Sequence, residues 1–285
     1  PMPDDEMVKD PSVLTTCGTD SLAEHALKVF NKGLSTGKLN FAGQDFTEDS
    51  FVKVLKAIGI FSKLKGLSVT RSSTLPIDEV DFTGIQLYNE TPLDINLKAR
   101  WDLKRRAQTV QLAVQFVRVS TGAKVVRLED CGLRGSTHDK EDLIEQEVIR
   151  LVKKFGFGSG KDARYTSEVS LARNHFEDGF AKKIIEAAYW ERCKHPDKDS
   201  MPRLLLNLGN NKIRQPRRIV AELRDGQCAG GAISVATKKD EQEIQDKATI
   251  LVDFGEQEER PPSAARSPAP PKPRPMGAGT SSARP

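Results

Sequence analysis

Over the first 66 residues the apolar side chains fall at helical intervals in two blocks. Leu22, Ala26, Val29 and Phe30 form one stripe behind the capping residues Asp20 and Ser21, and Gly33 closes it. Phe51, Val54, Leu55 and Ile58 form the next behind Thr47, ending before Gly59. Beyond about Leu67 the period shortens. Val110, Leu112, Val114 and Phe116 alternate, with Gln111 and Gln115 between them, which predicts a strand with one buried face. The alternation resumes after Ser120-Thr121-Gly122-Ala123 through Lys124–Leu128, so an antiparallel hairpin is expected. Weaker strands at Ile85–Tyr88 and Ile95–Trp101 extend it to a meander of three or four antiparallel strands.

Two helices are expected next. One covers Asp139–Phe155 with Ile144, Val148, Leu151 and Phe155 on a stripe; the other starts near Ser167 and carries Val169, Ala172, Phe176, Phe180, Ile184 and Ala188. Short apolar runs then return at Leu204–Leu208, Arg218–Leu223, Ala232–Ala236 and Thr249–Val252. No internal repeat emerges from this pattern. The predicted fold class is α+β: N-terminal helices, an antiparallel β-meander or hairpin, two central helices, C-terminal short strands and a disordered Pro-rich tail. The expected division is a flexible acidic arm at 1–19, a single core domain at 20–255 and the tail at 256–285.

The tail changes the charge picture. Residues 261–285 hold eight of the sixteen prolines, four basic residues (Arg266, Lys272, Arg274, Arg284) and no acid, which is the whole of the +4 net charge. Such a segment cannot bury enough apolar surface to offset its ordering entropy. Its Ala-Pro-Pro-Lys-Pro-Arg-Pro run favours polyproline II and suggests a partner protein, although the strict spacing of an SH3 ligand is absent. Residues 1–90 sum to −4, 91–224 to +9 and 225–260 to −5. A basic middle between acidic ends suits either a polyanion or self-association.

Catalytic chemistry is hard to find. Gly156–Lys161 is glycine-rich but lacks the Walker spacing, and Ser159 lacks a nucleophile-elbow frame. Cys193, His195 and His175 make an incomplete metal set, so no cofactor or metal is expected. Cys17, Cys131, Cys193 and Cys228 are widely spaced and read as free thiols of an intracellular, cytoplasmic protein. No stretch has the apolar length of a transmembrane segment.

Two basic clusters stand out: Lys98, Arg100, Lys104, Arg105 and Arg106 around Trp101, and Arg203, Lys212, Arg214, Arg217 and Arg218 with no acid among them. Arginine forks fit phosphate and an exposed indole stacks on an unpaired base, so single-stranded RNA is the expected ligand. The resulting expectation is a non-enzymatic binding or assembly protein, of the viral matrix, nucleocapsid or movement type. The alternatives are a self-associating scaffold using its Pro-rich tail, and an enzyme whose site is built from distant segments.

Overall fold

The computed structural model describes residues 2–67, 75–87, 99–120, 122–135, 143–153, 156–157, 164–195, 198, 201–226, 233–235 and 248–255, with side chains undescribed at 99–106, 119–120, 156–157 and 164. In chain order the elements are α1 (Asp4–Val8), α2 (Pro11–Cys17), α3 (Asp20–Thr36), β1 (Lys38–Asn40), α4 (Glu48–Leu64), β2 (Glu79–Asp81), α5 (Ala99–Gln115), β3 (Val125–Arg127), α6 (Leu143–Val152), β4 (Gly156–Phe157), β5 (Arg164–Tyr165), β6 (Glu168–Ser170), α7 (Asp178–Lys194), β7 (Leu204–Asn207), α8 (Pro216–Asp225), β8 (Ile233–Val235) and β9 (Ile250–Asp253). Seven strands form one parallel sheet in the order β1-β2-β3-β6-β7-β9-β8, and β4 and β5 pair separately. Successive helices from α3 to α8 pack on one another, so they form a single layer over one face of the sheet.

This α/β arrangement corrects the expected α+β fold with its antiparallel β-meander. Val110 to Gln115 lies inside α5, Phe116 begins the π-helical turn Phe116–Ser120 that follows it, and β3 pairs in parallel with β2 and β6. The reason is visible in the exposure pattern. Gln108, Gln111, Gln115 and Arg118 are exposed at intervals of three and four, while Val110, Ala113, Val114 and Val117 are buried. That is a helical face, and Leu112 only mimicked alternation. Likewise Arg218–Leu223 belongs to α8, and α7 starts at Asp178 because Glu168–Ser170 is a strand. The N-terminal segment holds α1 and α2, which bury Met7 and Val13 against α3 and α4. Of the expected strand at Ile95–Trp101, residues 99–101 begin α5 instead and the rest lies outside the described residues; of that at Ile85–Tyr88, residues 85–87 form no strand and Tyr88 lies outside them, as does the whole tail.

A repeat that the sequence pattern did not expose organises the core. Register aligns Leu39, Val80, Val126, Val169, Leu206 and Val252 in one buried row. Two residues on, Phe41, Phe82, Leu128, Leu171, Leu208 and Phe254 form a second, none more than 3 % exposed. Each such side chain contributes about 1.5–3 kcal/mol relative to exposure. The chain then turns through a left-handed residue at the same offset in five units, Gly43, Gly84, Asp130, Arg173 and Asn210. Next come Gln44, Ile85, Cys131, Asn174 and Asn211, and two residues later Phe46, Leu87, Leu133, Phe176 and Ile213 turn inward or half inward.

The polar members of that column tie one unit to the one before it. Asn174 Nδ2 donates to the carbonyls of Leu128, Leu171 and Ala172, while its Oδ1 accepts from the Cys131 and Leu133 amides. Asn211 repeats the arrangement, donating to Leu171 and Leu208 and accepting from Phe176 N–H. In the unit before these, the Cys131 thiol takes the position and donates to the Phe82 carbonyl at 3.2 Å. The column thereby satisfies backbone groups that helices and strands leave over at each turn.

Candidate binding face

Because helices cover only one side, alternate strand residues point away from them. Lys38, Glu79, Val125, Glu168, Leu205 and Leu251 form one outward row, and Asn40, Asp81, Arg127, Ser170, Asn207 and Asp253 form the next. Beyond the strand ends, Glu129 joins them. Together these positions hold two cations, Lys38 and Arg127, against five carboxylates, a net charge of −3.

The charges on β1 to β6 are interlocked. Lys38 Nζ lies 2.8 Å from Glu79, Arg127 bridges Glu79 and Glu168, and Glu129 accepts from Ser170 Oγ at 2.6 Å and Arg173 at 3.0 Å. Partial burial alone would raise the Glu79 carboxyl, but Lys38 and Arg127 together hold it below its usual value. Burial pulls the Arg127 guanidinium down, and Glu79 with Glu168 more than restores it. A depressed carboxyl contributes stability above the unfolded value of 4.5 that is lost as the pH falls through the lower folded value. Glu79→Gln should therefore flatten the acid limb of the stability profile below pH 4.5, with a change of about 1 kcal/mol or less because the ladder is partly solvated, read from urea midpoints across that range.

The far half of the face differs. Leu205 and Leu251 are half-buried, face outward and sit opposite each other in register on β7 and β9. Asp81 on β2 and Asp253 on β9 place one carboxylate in each half. Each accepts a backbone N–H two residues on, from Thr83 at 2.9 Å and from Gly255 at 2.7 Å, and neither has a cation at ion-pair distance among the described residues. The fixed oxygen leaves a second carboxylate oxygen for an incoming donor.

The residues expected to bind RNA are placed differently from the reading that singled them out. Arg100, Trp101, Lys104, Arg105 and Arg106 lie along the first turns of α5 rather than at a hairpin turn, and Lys98 lies outside the described residues. Arg203 immediately precedes β7, whereas Lys212 and Arg214 lie beyond its other end and Arg217 and Arg218 start α8. Arg218 pairs with Glu222 at 2.7 Å, and Glu222 also takes Lys182 at 2.9 Å. Lys212, Arg214 and Arg217 are exposed within one short stretch. His175 precedes α7 and Cys193 stands in its last turn, with about 22 Å of helix from Asp178 to Cys193 at 1.5 Å per residue, so they do not share a metal. Among the described residues, no three His, Cys, Asp or Glu groups come together as a metal site, and no helix is long and apolar enough to cross a membrane.

The outward row residues were missed because three-residue strands carry too little alternation to announce themselves. The signal that could have found them is the shared spacing of Val126-x-Leu128-x-x-Cys131-x-Leu133, Val169-x-Leu171-x-x-Asn174-x-Phe176 and Leu206-x-Leu208-x-x-Asn211-x-Ile213. The sequence matches no protein-family model, and no curated protein is significantly similar to it.

Proposed function

We propose that this chain is a non-enzymatic binding protein, a solenoid of leucine-rich-repeat type, whose open sheet face holds an extended cationic segment of a partner protein. The observation that carries the reading is the outward row pair: six strands in one register, with Glu129 just beyond β3, present a net charge of −3 beside the paired Leu205 and Leu251. The strand-turn spacing supports it, since apolar-x-apolar-x-x-Asn/Cys-x-apolar is the pattern of such repeats, and these proteins use the sheet face for binding. A cationic partner fits the carboxylates, and apolar groups on the same segment would cover the leucines. The same charge disfavours nucleic acid on this face.

The test is fluorescence anisotropy on the full chain with a labelled peptide of alternating proline and arginine. Binding should be saturable, weaken with salt and fall about tenfold when Asp81→Asn is combined with Leu205→Ser, the sum of one lost charge contact and one lost apolar contact. Binding unaffected by those changes would sink the proposal.

RNA remains a second reading, favoured by one observation: Lys212, Arg214 and Arg217 are exposed together between β7 and the first turn of α8. A labelled oligouridylate should then bind with a steep salt dependence that Lys212→Glu with Arg214→Glu abolishes. Oligouridylate binding in the absence of peptide binding would select this reading.

A further inference from the structure

We infer that the chain's own C-terminal segment, Pro261–Pro285, lies across the open sheet face and shields it from partners. The inference rests on the reading of that face as the binding surface, and it adds a regulation that the reading does not require.

Chemical complementarity comes first. The segment carries four cations and no acid, and the face carries a net charge of −3. Its eight prolines supply apolar rings without donors to desolvate, which suits a surface where Leu205 and Leu251 stand beside carboxylates. Position agrees with chemistry. The last described residue, Gly255, follows β9, the strand that carries both Leu251 and Asp253, which has no cation at ion-pair distance among the described residues, so the segment departs from the apolar end of the face. Strands are spaced by about 4.8 Å, which puts β1 about 24 Å from β9, five strands along. Pro261–Pro275 in polyproline II would span about 45 Å at 3.1 Å per residue. Prolines lead and most of the cations follow, as the leucines near β9 are followed by the carboxylates toward β2.

Tethering makes a weak contact effective. A linker of this length gives a local concentration on the order of 1 mM, so a segment that binds with comparable affinity would occupy the face for much of the time. Glu256, Glu258 and Glu259 lie nearer in the chain and are the competing acids.

The probe is a labelled peptide with the sequence of residues 261–285, added to the full chain. In a second form of the full chain Arg266, Lys272, Arg274 and Arg284 are all changed to Gln, which leaves untouched the described core, whose buried hydrophobic residues all precede Gly255. The peptide should bind this neutralised form about fivefold more tightly than the unaltered chain, since no tethered competitor remains. Adding Asp81→Asn and Asp253→Asn, whose amide oxygens keep the turn bonds, should remove that binding. Equal affinity for the unaltered and neutralised chains overturns the inference and leaves the partner face standing. Tightening that survives Asp81→Asn and Asp253→Asn also overturns it, by placing the segment on its own linker glutamates. No binding to either form, by this peptide or by the alternating proline-arginine peptide, overturns both readings.

Discussion

Replacing Asn174 by alanine should lower the melting temperature by about 10 °C or more, among the largest effects of any single polar substitution in the sheet. Asn174 is 2 % exposed and makes five hydrogen bonds, three as donor to the carbonyls of Leu128, Leu171 and Ala172 and two as acceptor from the amides of Cys131 and Leu133. Alanine removes every one of them and leaves the backbone groups buried. Each orphaned buried group costs about 1–3 kcal/mol, and partial relaxation leaves a total on the order of 3–5 kcal/mol. At about 2–4 °C per kcal/mol for a chain of this size, calorimetry should register the loss clearly. Aspartate is no rescue, because its second oxygen would face three carbonyl oxygens where the amide donated. Asn211→Ala should cost less, since Asn211 is only half-buried and water can replace part of what it provides. A shift for Asn174→Ala no larger than that for Asn211→Ala would show that the column is not what joins the units.

That column also explains how much of the fold could be read in advance. Helices with long stripes were legible: Thr47 does accept from Ser50 N–H at 3.2 Å, and α3 and α4 bury the predicted faces, although α3 is capped by Thr19 rather than by Asp20 or Ser21. Their ends were less so, because Gly33 and Gly59 lie inside the helices, where Gly33 packs on Leu39. Parallel strands of three or four residues leave almost no period to detect, and here the aligned apolar residues recur at intervals from 37 to 46 residues, so no fixed spacing betrays the repeat. What survives variation of the loops is the local frame around each turn. Asn174 and Asn211 occupy it after Val169-x-Leu171 and Leu206-x-Leu208, and their shared offset was legible.

The candidate face shows the limit of summing charge along a chain. Residues 91–224 total +9, which suggested a polyanion, yet Arg127 and Arg173 from that span are paired with Glu79, Glu168 and Glu129. Register between distant strands decides which charges meet, and only the fold supplies register.

Arg192→Ala should destabilise the chain by about 3–5 kcal/mol, and Arg192→Met by roughly half as much, a difference that separates hydrogen bonding from volume. Arg192 stands in the last turn of α7 and is 1 % exposed, the largest of the fully buried side chains. Its Nη1 donates to the Pro202 carbonyl and its Nη2 to the Thr166 carbonyl, the segments that lead into β7 and β6. Alanine orphans both carbonyls and leaves a cavity; methionine orphans them but fills the space and removes the cost of a buried charge. Burial lowers the guanidinium to about 10, so it stays protonated at neutral pH. The unfolded chain keeps that proton to higher pH, so above about pH 10 the unfolded state binds more protons and stability gains from this group as the pH rises. Urea midpoints taken on either side of pH 10 should therefore rise less, or fall more, with pH in Arg192→Met than in the unaltered chain. Since the two carbonyls hold the leads into Glu168 and Leu205, Arg192→Ala should also weaken the proline-arginine peptide under conditions where the protein is still folded. Unchanged affinity there would confine Arg192 to stability and detach it from the shape of the face.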